Sequence, residues 1–239
     1  MINFKKLRDS LARLGSPFLI RTRQDIADIA ALQRISRCFA SPSYIPWTSY
    51  ALRPSAVECL LNEAVINKRS HAVELGGGIS SLYLASVLGR QGGRVTIIDH
   101  DQNWLSIIES MMKSTSIAPT AYQTVHAPLK EQTFGGKTYS YFDAEAIISA
   151  LTGSKIDMVL VDGPPAKPGS MTRYPAMEIL LPHLADDFTI FLDDIFRRDE
   201  LLIAQEWAKE FHLRLNMPER IGGLAVFSPK RSRRDYVIA

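Results

Sequence analysis

Cysteine is scarce in this sequence of 239 residues, which contains only Cys38 and Cys59. Their spacing matches neither a metal-binding motif nor a disulfide framework, so a reducing compartment, the cytoplasm, is the expected location. No apolar run approaches the ~18 residues of a membrane span, and no apolar segment of signal-peptide length follows the basic residues near the N-terminus. These absences argue against a secreted, disulfide-stabilised or membrane-spanning protein.

Charge of one sign is not in large excess either. Lys and Arg number 28 against 25 Asp and Glu, and much of the net charge of +3 lies at the two ends. This balance gives no reason to expect a nucleic-acid partner, and the basic tail at 230–239 is predicted to be solvated. With 46% hydrophobic residues, the chain is long enough to bury the core of one domain with an extension.

Residues 1–54 are predicted to form a helical extension that ends in a lid-like loop. Over 2–14, an apolar face predicts a helix that packs on the domain, on a second subunit of a homodimer, or on a membrane surface. A second helix is predicted over 24–37, with its large apolar side chains turned inward. The loop 41–47, which contains two prolines, either covers the core or closes over the site. The apolar residues of the two helices are Phe4, Leu7, Leu11 and Leu14, and then Ile26, Ile29, Leu32 and Ile35.

Residues 55–229 predict the main domain. Ser55 and Glu58 form a capping-box pattern at the start of its first helix. The segments that follow alternate between strand and helix, which predicts a parallel sheet with helices on both faces. The predicted strands are 72–76, 94–99, 121–126, 156–162, 188–193, 212–217 and 223–228. The predicted helices between them are 79–90, 102–114, 143–152, 175–184 and 199–211.

The stretch 72–82, Ala-Val-Glu-Leu-Gly-Gly-Gly-Ile-Ser-Ser-Leu, predicts a buried strand, a glycine turn and the first turn of a helix. Glycines allow a ligand to approach the main chain, and the N–H groups at a helix start can hold an anionic group. Glu74 would repel a pyrophosphate but suits a ligand that carries an ammonium group and hydroxyls. Taken alone, the pattern leaves open a nucleotide site and a purely structural turn.

A second acid, Asp99, ends the next predicted strand, 25 positions after Glu74. A carboxylate at this place can accept hydrogen bonds from both hydroxyls of a ribose. The structural alternative is a helix-capping aspartate, but Asp101 already serves that role. Asp99 is therefore a candidate ligand-binding residue.

These two stretches resemble the first two motifs of class I S-adenosylmethionine (SAM)-dependent methyltransferases. Ser80 stands where a third glycine is common, and its hydroxyl is expected to hold the methionine carboxylate. In the second motif, Asp99 to Asp101 is followed by Trp104. The resemblance implies a doubly wound, mostly parallel, Rossmann-like sheet of seven strands with SAM as cofactor. The implied cofactor-binding residues are Glu74, Gly76, Gly77, Gly78, Ser80, Ser81, Asp99, His100, Ala127 and Asp162.

Acidic residues also follow the predicted strands 156–162 and 188–193. Asp162, Asp193 and Asp194 should converge, because open α/β sheets place their ligands at the carboxyl ends of the strands. Such a cluster is costly unless protons, cations or donors relieve it. The sequence leaves open a protonated carboxylate, a divalent ion, and neutralisation by Arg173 or Arg197.

The same acids resemble the metal site of the catechol and caffeoyl-coenzyme A O-methyltransferases. Asp162 and Asp193 match two acidic ligands of that family, and Asp194 stands where the family has asparagine. Lys167 is only a loose counterpart of the family's lysine. The resemblance implies a divalent ion such as Mg²⁺ on all three acids, with Asp162 and Asp194 as catalytic residues.

The function predicted from these motifs is SAM-dependent O-methylation of a small-molecule acceptor. The first alternative is an NAD-dependent oxidoreductase, which Glu74 and the missing third glycine disfavour. The second is a non-catalytic SAM-binding module, which the acidic cluster disfavours. The sequence does not identify the acceptor.

Overall fold

The structure, a computed structural model, describes residues 24–39, 44–165, 170–218 and 223–232. The predicted helix over 2–14, Lys167 and most of the basic tail lie outside these ranges. Among the described residues, no helix is both long enough and apolar enough to cross a membrane.

The strands of the main sheet confirm the predicted architecture. They are β1 (His71–Leu75), β2 (Arg94–Asp99), β3 (Tyr122–His126), β6 (Ile156–Val161), β7 (Leu184–Leu192), β8 (Leu213–Asn216) and β9 (Ala225–Pro229), and a separate hairpin consists of β4 (Leu129–Phe134) and β5 (Lys137–Phe142). Within the described ranges, the sheet has seven strands in the order β3-β2-β1-β6-β7-β9-β8. Pairing is parallel from β3 to β7, whereas β9 is antiparallel to both β7 and β8. The final hairpin, β8–β9, therefore forms an antiparallel edge of a mostly parallel sheet.

Helices cover both faces of this sheet. They are α1 (24–35), α2 (Pro54–Ile66), α3 (Ile79–Arg90), α4 (Gln102–Ser114), α5 (Ala144–Leu151), α6 (Ala176–Leu180) and α7 (Arg198–Glu210). One apolar core packs α2, α3 and α4 against the sheet, and a second core packs α5, α6, α7 and the hairpin β4–β5 against the other face. Successive side chains of a strand point to opposite faces, so β1 contributes Ala72 to the first core and Val73 and Leu75 to the second.

The hairpin β4–β5 is absent from the sequence prediction, which places no strand between 126 and 156. Its turn consists of Gly135 and Gly136, with φ angles of 53° and 76°. A Gly-Gly pair suits the two-residue turns of β-hairpins, so this dipeptide is the signal that the prediction missed. Strand β4 was hard to detect because its exposed polar residues lack an apolar alternation.

Helix α6 is shorter than predicted, and β7 is longer. The predicted helix 175–184 ends at Leu180, and a 3-10 turn, Leu181–His183, follows. Pro182 has no N–H to continue the helical hydrogen bonds, which explains the early end. Strand β7 then begins at Leu184 rather than at 188. Its first half contains Asp186 and Asp187, which hide it from a search for apolar residues.

The predicted capping box of α2 does not form. Ser55 donates its N–H and its hydroxyl to Asp28 Oδ1 at 3.1 and 2.6 Å, and Glu58 accepts hydrogen bonds from Arg34. Helix α2 begins instead with Pro54, which suits this position because the first N–H of a helix has no partner within it. Ser55 and Glu58 therefore attach α2 to α1.

These polar contacts lie on the side of α1 that faces α2. Ala31 and Ile35 are buried, whereas Ile29 is 68% exposed. Ile26 and Leu32 are exposed as well, so the inward orientation predicted for these three residues is wrong. The prediction assumed that the most apolar face meets the core, but the ion pairs lie on the side that faces α2.

Candidate active site

Two close contacts shape the glycine turn between β1 and α3. Gly76 has a φ of +94°, and a Cβ on it would lie 2.8 Å from the backbone nitrogen of Gly163, which follows β6. A Cβ on Gly77 would lie 2.8 Å from the side chains of both Ile97 and Ile108. A larger residue at either position would force its neighbours to move. The turn is therefore fixed against β2, α4 and the end of β6.

Gly78 differs because the described neighbours leave room beside it. Its φ of −165° is extended backbone that any residue can adopt, and the nearest atom to an added Cβ would be Ser80 Oγ at 3.7 Å. Gly78 is the N-cap of α3, and the first N–H groups of a helix have no acceptor within it. A ligand can therefore approach the main chain here and meet the N-terminus of α3.

Glu74 lies beneath the turn and not on its open side. The residue is completely buried, and its carboxylate accepts hydrogen bonds from the hydroxyls of Ser80 and Ser81 in the first turn of α3. Burial raises the pKa of Glu74 to about 7, although the two hydroxyls act in the opposite direction. This arrangement does not match the predicted direct contacts of Glu74 and Ser80 with a ligand, because the hydroxyl proton of Ser80 is donated to Glu74. All three side chains hold the turn in shape.

Asp99 ends β2 and faces the same turn. Its Oδ2 accepts a hydrogen bond from the N–H of Gly77 at 3.0 Å, and its Oδ1 accepts from the N–H of Asp101 at 2.9 Å. A carboxylate has lone pairs for about four hydrogen bonds. Asp99 can therefore hold the turn and still accept hydrogen bonds from ribose hydroxyls, a contact that stays a prediction.

The residues beside Asp99 complete this edge of the sheet. His100 Nδ1 lies 3.2 Å from Asp99 Oδ1. Ala127 is completely buried, and its N–H donates to the backbone oxygen of Asp99 at 2.9 Å; its contact with a ligand stays a prediction. Trp104 has a role that the sequence analysis missed, since its Nε1 donates to the backbone oxygen of Gly77 at 2.7 Å. The signal for this contact was an indole in the first turn of the helix after Asp99.

The structure brings the three predicted strand-end acids together. The N–H of Asp162 donates to Leu75 of β1 at 2.9 Å, and the N–H of Asp193 donates to Val161 of β6 at 3.1 Å. Sheet hydrogen bonding therefore continues as far as these acids and fixes their backbones. Among the described residues, Asp162, Asp193 and Asp194 each place a carboxylate oxygen within 4.8 Å of the others.

Two arginines compensate this cluster. Arg173 is only 3% exposed, and its Nη2 lies 3.3 Å from Asp162 Oδ1 and 3.0 Å from Asp194 Oδ2. Arg197 is 56% exposed, and its Nη1 lies 2.7 Å from the same oxygen of Asp194. The sequence left open a protonated carboxylate, a divalent ion, and neutralisation by Arg173 or Arg197. In the structure, both arginines form ion pairs with these acids.

The compensation is incomplete, and the acids keep an affinity for protons. Burial and the negative charge of Asp193 raise the pKa of Asp162 well above its usual range, against the attraction of Arg173. Burial and the charge of Asp194 raise the pKa of Asp193 to about 6. A carboxylate with a raised pKa is, in its ionised form, a stronger base than an ordinary one.

The arginines also decide whether a divalent ion fits. Three carboxylates are suitable ligands for Mg²⁺, which binds oxygen at about 2.1 Å. An ion at that distance from Asp194 Oδ2 would lie no more than about 5 Å from Arg173 Nη2. At an effective dielectric constant of about 20, these charges would repel each other by about 7 kcal/mol. This repulsion is less than half of the attraction between the ion and one carboxylate oxygen at about 2.1 Å. The acids alone therefore fit a metal, and Arg173 opposes its binding because the guanidinium already pairs with an oxygen of Asp162 and an oxygen of Asp194.

The site lies within a known family domain. A family model described as a methyltransferase domain matches residues 73–195, more than half of the chain. The chain belongs to this methyltransferase family. The matched segment contains the glycine turn, Asp99 and all three acids of the cluster. The prediction of a class I SAM-dependent methyltransferase is thereby confirmed, and an NAD-dependent oxidoreductase is not favoured. No curated protein matches the sequence.

Solved structures share the fold of this methyltransferase at low sequence identity. The O-methyltransferase TomG of Streptomyces achromogenes, involved in tomaymycin synthesis and solved with SAM, is 13% identical over 87% of this chain and 88% of that chain, with a TM-score of 0.55. A Staphylococcus aureus protein proposed to be a caffeoyl-CoA O-methyltransferase is 15% identical over 95% and 99%, with a TM-score of 0.57. A Bacillus cereus O-methyltransferase solved with SAH is 13% identical over 84% and 89%, with a TM-score of 0.54. These similarities establish the fold.

Substitution of Glu74 tests whether its buried carboxyl limits stability. The pKa of Glu74 rises from 4.5 to about 7 on folding, so the folded state binds more protons and stability falls as pH rises through this interval. The penalty above pH 7 is about 3 kcal/mol at 1.36 kcal/mol per pKa unit. Urea unfolding should therefore show Glu74→Gln gaining about this much over the wild type between pH 4.5 and 7.

The matched control is Glu131→Gln, which removes an exposed carboxylate from β4. Its stability relative to the wild type should not change over the same pH interval. A Glu74→Gln variant whose stability parallels that of the wild type at every pH would show that the Glu74 carboxylate carries no burial penalty.

Proposed function

We propose that the protein transfers the methyl group of SAM to an oxygen atom of a small-molecule acceptor. The observation that carries the proposal is the contact between Gly76 and Gly163, which leaves no room for a Cβ on either side. It puts Asp162, the residue before Gly163, directly beside the glycine turn. A donor held by the turn would then have a basic carboxylate next to it. Two of the structural relatives described above, TomG and the Bacillus cereus enzyme, are O-methyltransferases, which supports oxygen as the acceptor atom.

The proposed cofactor site extends from Gly78 to Asp99. The N-terminus of α3 would hold the carboxylate of the methionine part, since helix N-termini attract anionic groups. Asp99 would accept hydrogen bonds from the ribose hydroxyls, and Ala127 would contact the adenine. Gly76, Gly77, Glu74 and the two serines contribute by fixing the turn.

The proposed chemistry is an in-line displacement. SAM supplies a methyl group on an electrophilic sulfonium. The protein holds the acceptor oxygen in line with that group, which can lower the barrier by several kcal/mol. Asp162 accepts the proton of the acceptor hydroxyl as the new C–O bond forms and the C–S bond breaks. Asp194, on the other side of Arg173, orients the acceptor.

The surroundings of the site are part of the same proposal. Trp47 packs against Tyr83 of α3, with ring centroids 6.2 Å apart, so the loop 44–52 covers this helix and could order further when cofactor binds. Both Cys38 and Cys59 are free thiols, which supports a cytoplasmic location.

Substitution of Gly78 separates cofactor binding from folding. A leucine side chain here would extend into the space proposed for SAM, while its Cβ meets nothing closer than 3.7 Å. We expect Gly78→Leu to stay within about 1 kcal/mol of the wild-type stability, the cost of a poorer N-cap. Its affinity for SAM, measured by calorimetry, should fall at least about 100-fold, or ~2.7 kcal/mol.

The control is Ser106→Leu, which adds the same side chain to the exposed face of α4. It should bind SAM as the wild type does. Unchanged SAM affinity in a folded Gly78→Leu protein would place the cofactor elsewhere.

An acceptor assay tests the second half of the proposal. Radiolabelled SAM should transfer its methyl group to at least one member of a panel of phenols, catechols and hydroxylated heterocycles, and mass spectrometry should identify a methyl ether. Asp162→Asn should lower kcat by about 100-fold to 10,000-fold, the usual contribution of a general base. Asp186→Asn, an exposed acid of β7, should have full activity.

Two outcomes would contradict this assignment. SAM binding without transfer to any acceptor would favour a non-catalytic module. Transfer to nitrogen or sulfur acceptors only, with full activity in Asp162→Asn, would show that no carboxylate base is needed.

A further inference from the structure

The side chain of Arg173 is held in one position by several contacts at the edge of the sheet. It is buried, and besides the two carboxylates it contacts the backbone at the ends of both β6 and β7. Its Nη2 donates to the backbone oxygen of Asp162 at 2.9 Å, and its Nη1 donates to the backbone oxygen of Asp193 at 3.1 Å. The guanidinium therefore joins two strand ends and the acids that follow them.

The segment that carries Arg173 is fixed as well. The next residue, Tyr174, bonds to Met171 through its N–H, and its backbone oxygen accepts a hydrogen bond from Trp207 Nε1 at 3.1 Å. Trp207, a residue of α7, is itself completely buried in the core. Arg173 is thus held from both sides, by its own contacts and by the turn that contains it.

One N–H group of Arg173 makes no hydrogen bond within the described residues. Its Nε is buried and has no hydrogen-bond partner among the described residues. A guanidinium carries five N–H donors in a fixed plane and keeps its charge at every physiological pH. It therefore provides a permanent positive charge, with no ion to be captured from solution.

We propose that Arg173 is a built-in cation that stands in place of a divalent metal ion, so that methyl transfer by this protein is metal-independent. Arg173 acts as a positioning residue: it holds Asp162 and Asp194 on either side of one fixed charge, next to the glycine turn. The catalytic part of this inference rests on the proposed O-methyltransferase function. The part that concerns metal binding does not, because it depends only on the cluster.

Calorimetry tests the exclusion of metal directly. Metal-free protein with saturating SAH is titrated with MgCl₂ and with MnCl₂, each to millimolar concentration. The wild type should give no binding heat. Arg173→Met, which removes the charge but keeps an apolar stem, should gain a site for Mn²⁺, and adding Asp162→Asn to that variant should abolish the gain. A merely structural role for Arg173 would not produce metal binding on its removal.

Two further variants control for charge and folding. Arg197→Met removes the exposed partner of Asp194 but leaves Arg173 in place, so it should bind no metal. Arg173→Lys keeps a positive charge and should also bind none. If Arg173→Met fails to fold, as judged by circular dichroism, metal binding by the wild type or by Arg173→Lys would still overturn the proposal.

Metal binding by the wild type at millimolar concentration would overturn the proposal, and so would a folded Arg173→Met that binds no metal. Once an acceptor is known, methyl transfer should survive EDTA in the wild type without loss of rate. Loss of activity in EDTA, restored by Mg²⁺, would also overturn it. Failure to find any acceptor would count against the proposed function alone, since the titrations require no turnover.

Discussion

Acidic side chains buried at the carboxyl edge of the sheet are the constraint on which this site depends. A carboxylate taken out of water must be neutralised or fully hydrogen-bonded. The chain meets this requirement in three ways: serine hydroxyls donate to Glu74, backbone N–H groups donate to Asp99, and Arg173 pairs with Asp162 and Asp194. Each solution also fixes a piece of backbone. The interactions that stabilise the buried carboxylates therefore also fix the backbone at this edge of the sheet.

The glycines connect these separate solutions. Because Gly76 and Gly163 touch through their backbones, the turn proposed to receive the cofactor and the turn that carries Asp162 cannot move independently. The proximity of the proposed donor site to Asp162 is thus a property of the main chain. A methyltransferase needs mainly such positioning, since the sulfonium of its donor is already reactive.

Features that are local in sequence could be predicted well. The parallel sheet follows from alternating strand and helix patterns, and the meeting of Asp162 with Asp193 follows from the rule that parallel strands end at one edge. The glycine turn could be predicted because the residues that form it are contiguous in the sequence. The exceptions among local elements include the hairpin β4–β5, whose exposed strand β4 lacks an apolar pattern, the capping box predicted for α2, and the bounds of α6 and β7 around Pro182.

Side-chain pairings between distant elements could not be predicted in the same way. The sequence suggested Ser80 as a cofactor contact, yet its hydroxyl serves Glu74 once α3 packs against β1. It suggested that Ile29 faces the core, yet ion pairs turn the other side of α1 inward. It offered Arg173 as one of several options for relieving the acids, and only the fold shows that this side chain is buried between them. Pairings of this kind depend on geometry that residue spacing does not contain.

The central claim, a cofactor site on the glycine turn beside acids compensated by arginine, can be tested in one experiment. Crystals grown with SAH and soaked in MnCl₂ would be measured at a wavelength where manganese scatters anomalously. The account predicts SAH between Gly78 and Asp99, the guanidinium of Arg173 between Asp162 and Asp194, and no manganese peak at the cluster. A manganese ion bound by those acids with Arg173 displaced, or SAH bound away from the turn, would contradict it.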